Sequence, residues 1–243
     1  MKQSVSTWTA GIKLSLFSVA AVLVGVALIS TSPGCRRYPE RASLAEALNN
    51  ARQVKFALDG FATDFNGHFP SEATGRKVVP GGTGTASSND YLRQLFLSGE
   101  TLSEAIFWSR RSPVASKEAP DDEVLVNDEP KADLILQPGD CHWAYMTGQT
   151  NTSNVARPLL LDPFDPKTGE WDPDLWDRKT VIVRVDGSAK AMRMRVSDNL
   201  VLDGSNQDIL SPDADAWRAE PGEPKSEDPR KLLVQPALAP SKR

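Results

Sequence analysis

The chain has 243 residues, of which 40% are hydrophobic and 25% charged, and its net charge at pH 7 is -4. A chain of this length can bury a full hydrophobic core. Its basic residues are scattered and it contains no base-reading motif, which argues against a nucleic-acid-binding protein.

A long apolar segment lies near the amino terminus. No charged residue occurs from Leu14 to Gly34. A run of about 20 such residues is long enough to cross a bilayer as a helix. Lys2 and Lys13 precede the run, and a short basic leader before an apolar segment is typical of an export signal. Basic residues also follow the run, so charge alone does not set its orientation. We expect residues 1–38 to form a signal or transmembrane anchor.

Cys35 directly follows this run, at the position where a bacterial lipoprotein signal places its lipid-accepting cysteine. The preceding Ser32-Pro33-Gly34 provides a small residue before the cysteine but lacks the usual leucine three positions upstream. Two interpretations therefore stay open, a lipidated Cys35 and a membrane helix that is retained. The chain has only one other cysteine, Cys141, and pairing of the two after export is also left open.

An amphipathic helix is predicted after the anchor. Apolar residues recur there at intervals of three and four, which is typical of a helix with one buried face. They are Leu44, Leu48, Ala51, Val54, Leu58, Phe61 and Phe65. Pro39 and a capping box formed by Ser43 and Glu46 predict a start between residues 39 and 43. Asn66-Gly67 predicts the end of the helix.

The following part of the chain predicts a short helix and an antiparallel sheet. Ser71–Ser88 is rich in Gly, Thr and Pro and predicts a loop, and Asn89–Ser98 predicts the second helix. Asp186-Gly187 is a typical hairpin turn. Strands are predicted at Trp143–Met146, Pro158–Leu161, Thr180–Val185 and Ala189–Arg195.

The sequence thus divides into three parts. Residues 1–38 are the anchor, and residues 39–211 are an α+β head in which a long helix packs on a small antiparallel sheet. Residues 212–243 are rich in proline and charge, and this composition predicts a disordered tail.

An acidic loop follows one of the predicted strands. Its carboxylates are Asp162, Asp165, Glu170, Asp172 and Asp174. Calcium takes six to eight oxygen ligands, so these residues are a candidate calcium site. Their spacing is not that of an EF-hand, and Asp-Pro pairs commonly form turns, so a solvated turn is the favoured interpretation.

Trp171 and Trp176 lie in and just after this loop. They are candidates for a partner-facing surface, and the alternative is a cap over the edge of the sheet. No nucleophile elbow, phosphate-binding loop or zinc-ligand spacing is present, so the sequence indicates no catalytic residue.

Several short motifs resemble a known group of proteins. Ala51–Leu58 followed by Phe65–Pro70 resembles the post-membrane helix and the Asn/Asp-Gly-x-aromatic-Pro corner of bacterial type II secretion pseudopilin-like and type IV pilin-like proteins. Further matches are His142–Tyr145, Pro158–Asp162 and Val185–Ser188, which resemble strands of a loop-rich pilin-like head.

The chain departs from that family at its amino terminus. Prepilins carry Gly-Phe-Thr-Leu and a glutamate in the apolar segment, whereas here Gly11 is followed by Ile12-Lys13-Leu14. No acidic residue lies in residues 1–39. The usual prepilin cleavage motif is therefore lacking, which favours a pilin-like head on a plain anchor over a filament subunit.

The resemblance implies a non-enzymatic structural or interaction subunit, accessory to a secretion or pilus-like system. It also implies attachment to the bacterial inner membrane, a head exported to the periplasm, pilin-like or secretion proteins as partners, and calcium as the one candidate ligand. The alternative is a periplasm-facing lipoprotein, lipidated at Cys35, that binds a ligand through its Trp/Asp-rich loop. A hydrolase with an unrecognised site is a third, weaker alternative.

Overall fold

The computed structural model describes residues 33–218 and 228–240, and for residues 33–40 it describes the backbone alone. The chain divides into two compact units, Met1–Ala42 and Ser43–Arg243. Most of the predicted anchor, residues 1–38, lies outside the described residues, so the anchor stays a prediction. No helix within the described ranges is both long and apolar enough to span a bilayer.

The longest helix, α1, runs over Pro33–Asp64. It begins earlier than predicted, because Pro33 rather than Pro39 occupies the first helical position. A backbone amide at that position has no partner within the helix, so a proline there costs no hydrogen bond. Its predicted end is confirmed. Asn66 and Gly67 both have positive φ, and the Gly67 amide donates to the Ala62 carbonyl at 2.7 Å, which closes the last turn.

Two shorter helices follow, α2 at Glu72–Val78 and α3 at Ser88–Leu97. The loop prediction for Ser71–Ser88 is therefore wrong over α2. Its start is fixed by a capping box in which Ser71 and Thr74 each accept a hydrogen bond from the other's backbone amide.

A short hairpin pairs β1 Leu125–Val126 with β2 Glu129–Pro130. A separate five-stranded antiparallel sheet forms the centre of the second unit, and its strands are β3 Ala144–Met146, β4 Pro158–Leu161, β5 Lys179–Arg184, β6 Ala189–Arg193 and β7 Leu233–Val234. They lie side by side in the order β6-β5-β4-β3-β7. The predicted α+β class is thus confirmed, as are four of the strand positions to within one or two residues.

Helix α1 packs on one face of this sheet through the predicted apolar stripe. Ala51, Val54, Leu58 and Phe61 have no exposed surface, and they belong to a core that includes Leu160 and other sheet residues. Leu44, Leu48 and Phe65 are partly buried against the same core, and the Phe65 ring stacks on that of Phe61 with centroids 4.1 Å apart.

The opposite face of the sheet is covered by the residues that follow β6. Leu161 and Ile182 pack there against Leu210 and Trp217, which are each only 1% exposed. The Trp217 indole donates to the Ile209 carbonyl at 2.9 Å. The prediction of a disordered tail is therefore wrong for residues 212–218, because the few apolar side chains there complete a second core.

The same prediction is wrong for residues 228–240. A short helix, α4 at Pro229–Leu232, leads into β7, which pairs with the outer edge of β3. Beyond β7 the Ala237 carbonyl accepts from the Gly139 amide, and the Ala239 amide donates to the Val114 carbonyl. We call residues 228–240 the carboxy-terminal strap. Backbone pairing stabilises it, which a composition-based prediction does not detect.

Phe61 is predicted to be the main anchor of α1 on the sheet. Phe61→Ala removes a fully buried ring and should lower the free energy of unfolding by about 3–5 kcal/mol. Phe56→Ala is the matched control, because Phe56 lies on the same helix and is 80% exposed. The control should change the free energy by less than about 0.5 kcal/mol. Urea unfolding of the full-length chain in mild non-ionic detergent measures both, and equal effects would contradict the packing described.

Candidate functional site

A buried polar cluster lies at the carboxyl end of β4, next to β5. It consists of His142, Asp162 and Trp176 with the backbone of Val181, and we call it the Asp162 cluster. Asp162 is 1% exposed and His142 is fully buried. Asp162 follows β4 directly, and its amide donates to the Val181 carbonyl, which extends the β4–β5 ladder by one residue.

Both carboxylate oxygens of Asp162 are occupied. Oδ1 lies 2.7 Å from His142 Nε2, and Oδ2 accepts from Trp176 Nε1 at 2.7 Å. Oδ2 also accepts from the Val181 amide at 2.6 Å. A buried carboxylate needs such donors, because water no longer solvates it. The cluster therefore joins the loop that carries Trp176 to β4, β5 and the segment before β3.

The cluster includes an Asp–His pair but does not present it to a substrate. The His142 ring packs edge-on against Trp143, with centroids 4.7 Å apart, and its Nδ1 atom has no hydrogen-bond partner within the described residues. Since neither His142 nor Asp162 reaches the surface, proton transfer to an external molecule would require the core to open. The arrangement as it stands supports a structural role.

The structure does not bring the five candidate calcium ligands together. Asp162 is directed into the core, whereas Glu170 and Asp174 are exposed. Asp165 Oδ1 accepts from the Lys167 amide, and Asp172 Oδ1 accepts from the Asp174 amide, so both carboxylates close local turns. No group of three or more His, Cys, Asp or Glu residues in the described ranges is arranged to hold a metal ion. The five carboxylates are thus not gathered into one ligand set in the described structure, and calcium binding stays a prediction.

Trp171 and Trp176 do not form a partner-facing surface. Each is only 3% exposed, so neither ring is available for stacking on a ligand. Trp171 packs edge-on against Phe164, with centroids 5.3 Å apart, in the core on the far face of the sheet. Trp176 belongs to the core beneath α1. The two rings thus belong to the cores that cover the two faces of the sheet, and no contact places either of them as a cap over its edge within the described residues.

Cys141 is a buried free thiol. Its Sγ lies 3.6 Å from the Trp143 carbonyl oxygen, and burial raises its pKa to about 12. A protonated and inaccessible thiol is neither a nucleophile nor a ready disulfide partner. The side chain of Cys35 lies outside the described residues, so lipidation and a Cys35–Cys141 pairing stay predictions.

Glu104 was not predicted as a notable residue from the sequence, and its carboxyl group is buried in the chain segment after α3. The residue is 2% exposed and accepts a hydrogen bond from the Leu136 amide. Burial is the largest influence on this group and raises its pKa to about 7. Three neighbouring carboxylates add to the increase: Asp140, Asp122 and Asp121. Nothing in the sequence around this single glutamate indicates that its side chain is buried.

Phe56 was also missed, although the sequence contains the signal for it. It lies two residues from both Val54 and Leu58, so a helix that buries those two residues directs Phe56 to the opposite side. It is 80% exposed and borders an open groove.

Removing the Asp162 carboxylate should destabilise the fold strongly. Asp162→Ala leaves the indole of Trp176 and the amide of Val181 buried without an acceptor, at an expected loss of about 3–5 kcal/mol in unfolding free energy. Asp162→Asn should lose less, because its amide oxygen still accepts. The control is Asp174→Ala in the same loop, which should change stability by less than about 0.5 kcal/mol. Similar values for Asp162→Ala and Asp174→Ala in urea unfolding would contradict this role.

Glu104 should make stability fall as the pH rises. Its pKa in the folded chain, about 7, lies above the ordinary value of 4.5, so the folded state binds more protons between these pH values. The free energy of unfolding therefore decreases with pH across that window, and the full loss is reached above pH 7.

Glu104→Gln removes this titration and keeps an acceptor for the Leu136 amide. The unfolding free energy of Glu104→Gln minus that of the wild type should increase by about 1–3 kcal/mol from the lower to the upper end of this pH window. Glu118→Gln, at an exposed glutamate, is the control and should show no such trend. Urea unfolding at both ends of the window measures the differences, and a Glu104→Gln difference that is independent of pH would be inconsistent with a buried titrating group.

Comparison of the chain with protein-family models, with curated proteins and with solved structures found no match in any of the three. The arrangement of its own residues is therefore the basis for any functional conclusion.

Proposed function

We propose that this chain is a non-enzymatic, membrane-anchored structural or interaction subunit with a pilin-like head. In this proposal residues 1–38 hold the protein at the bacterial inner membrane, and the α+β unit lies in the periplasm. Pilin-like or secretion proteins are the proposed partners, in a role accessory to a secretion or pilus-like system.

The observation that carries the proposal is helix α1. It begins at Pro33, within the uncharged run of residues 14–34, and continues without interruption to Asp64. Its apolar stripe then packs on an antiparallel sheet. An apolar amino-terminal segment that passes into a long helix packed on a sheet is the layout that the pilin-like resemblance implies.

The chemistry of the buried groups also supports a role without catalysis. The Asp162 cluster is closed to solvent, and the Cys141 thiol is buried with a strongly raised pKa. The carboxylates of the acidic loop close turns, as Asp165 and Asp172 do, or are exposed, as Glu170 and Asp174 are. The ligand-binding lipoprotein alternative loses its proposed contact surface, because Trp171 and Trp176 are both buried. Its lipid anchor at Cys35 stays a separate question.

The state of the amino terminus tests the proposal directly. The intact mass of the protein extracted from membranes should correspond to the whole chain of 26.5 kDa, or to that chain without its initiator methionine. Such a mass would establish a retained apolar segment. A chain that begins at Cys35 and carries acyl groups would instead establish a lipoprotein and contradict the retained anchor.

Cys35→Ala provides the matched control. If the anchor is retained, this change should lower the mass of the protein by that of one sulfur atom. The share of the protein found in the membrane fraction should not change. In a lipoprotein it should abolish acylation and leave the signal segment uncleaved. Recovery of an unmodified chain in the soluble fraction would contradict both forms of attachment.

A further inference from the structure

The carboxy-terminal strap lies in a groove between two walls. One wall is the outer edge of β3, which pairs with β7. The other wall is formed by the first turn of α3 together with Val114 and Gly139. We call this the strap groove. Its parts come from four separate segments of the chain, so it is a feature of the completed fold.

The strap groove binds the strap mainly through backbone groups. The Ser88 amide donates to the Gln235 carbonyl at 2.9 Å. Asn89 is 1% exposed, and its Oδ1 accepts from the Ala237 amide at 2.9 Å. Two further backbone hydrogen bonds are those from Gly139 to Ala237 and from Ala239 to Val114. Together with the β3 edge, these groups form a row of donors and acceptors that fits an extended chain.

The side chains of the strap add little burial. Among residues 228–240, only Pro229 and Pro236 are buried. Both residues of β7 are partly buried, and Leu238 is 52% exposed. Hydrophobic burial is the dominant favourable contribution to folding, and the strap has a small share of it. The strap can therefore leave the groove at a lower free-energy cost than unfolding of the two cores.

Two contacts fit the groove to the sequence of the strap. The Phe164 amide donates to the side-chain oxygen Oε1 of Gln235 at 3.0 Å. At Gly139 the strap passes so close that an added Cβ atom would lie 2.8 Å from the Cβ of Ala239. An extended segment that replaces the strap must match it at both places, and a second copy of the chain carries the same segment.

Exchange of straps between two copies retains all these contacts. Each strap then lies in the groove of the other copy, and the two grooves are related by a two-fold axis. Ten residue steps separate Arg218 from Asp228, a length of chain that extends to at most about 35 Å. Any other occupant must displace a tethered strap, which is present at a high effective concentration. A second copy instead supplies an equal strap for the one it displaces, so the contacts favour a second copy as the occupant.

We propose that the strap groove is an exchange site, at which two copies form a dimer by placing their straps in each other's grooves. Only the carboxy-terminal part of the chain crosses between the copies, so the exchange leaves both amino-terminal segments able to enter one membrane. The inference goes beyond the proposed anchoring function and does not depend on it.

Cross-linking between chains tests the exchange. In a Cys35→Ser background, chains carrying Ser116→Cys and chains carrying Ala239→Cys are mixed in urea and refolded together in mild non-ionic detergent. Ser116 Oγ and Ala239 Cβ both contact the place that a Cβ atom on Gly139 would occupy, so the two positions are close. Exchanged pairs should therefore form a disulfide between chains.

Val196→Cys in place of Ala239→Cys is the matched control, because Val196 is 80% exposed and lies outside the strap. The yield of mixed disulfide should be at least about tenfold higher with Ala239→Cys, since a disulfide requires cysteines held within a few ångströms of each other. Equal yields of the two mixtures overturn the proposal.

A chain that carries both Ser116→Cys and Ala239→Cys provides the reference for the geometry. When it is refolded at low concentration, the disulfide should form within one chain and hold the strap in its own groove. We call this the locked chain. Formation of this disulfide within one chain, without any in the mixture of single variants, overturns the proposal.

Sedimentation in the same detergent tests the dimer itself. The parent chain with Cys35→Ser, refolded over a range of concentrations, should form a dimer whose share increases with concentration. The locked chain should stay monomeric at every concentration, and it should recover the dimer after reduction and renewed refolding. A parent chain that stays monomeric, or a locked chain that dimerises equally, overturns the proposal.

Discussion

The central strands of the sheet are buried on both faces, and the rest of the fold depends on this constraint. In β4 and β5, Leu160 and Val181 face the core beneath α1, whereas Leu161 and Ile182 face the second core. A strand with apolar residues on both sides requires two covering layers. Helix α1 provides one of these layers, and the chain after β6 must therefore provide the other. The region after β6 is for this reason part of the folded unit.

The same constraint determines that the polar side chain of Asp162 is buried. As the residue that continues β4, it lies inside the structure whatever its side chain prefers. Its carboxyl group is accommodated because Trp176 and the Val181 amide donate to one of its oxygens, while His142 Nε2 lies 2.7 Å from the other. The neighbouring Asp165 and Asp172 lie only a few residues further along the chain, outside the core, and there they close ordinary turns. Carboxylates that look equivalent in the sequence thus have opposite roles.

Local patterns predicted the parts of the fold that local physics determines. The apolar stripe from Leu44 to Phe65 identified the buried face of α1, and Asp186-Gly187 identified the hairpin between β5 and β6. The second core and β7 were not predictable in this way. Only two residues of β7 pair with β3, and they do so from almost ninety positions away in the chain. No propensity or periodicity within a short window contains that information.

The candidate sites were less predictable than the fold, because they depend on burial. Tryptophan next to an acidic loop has the same sequence signature whether the ring is a binding surface or a part of the core. Trp176 has the second role because Asp162, fourteen residues earlier, accepts its indole hydrogen. Phe56 is the opposite case, since the helical period that identified the core also places it on the exposed side.

The carboxy-terminal strap has a consequence for how the chain reaches its folded state. β7 covers the outer edge of β3 but follows every other strand of the sheet in the chain. Until the strap arrives, the edge of β3 presents unpaired amide and carbonyl groups, which are a template for pairing with foreign chains. During synthesis from the amino terminus, this vulnerable interval extends over the production of the whole second core. Because of the position of one two-residue strand, the edge of β3 cannot be paired in this way until the last described segment of the chain has been made.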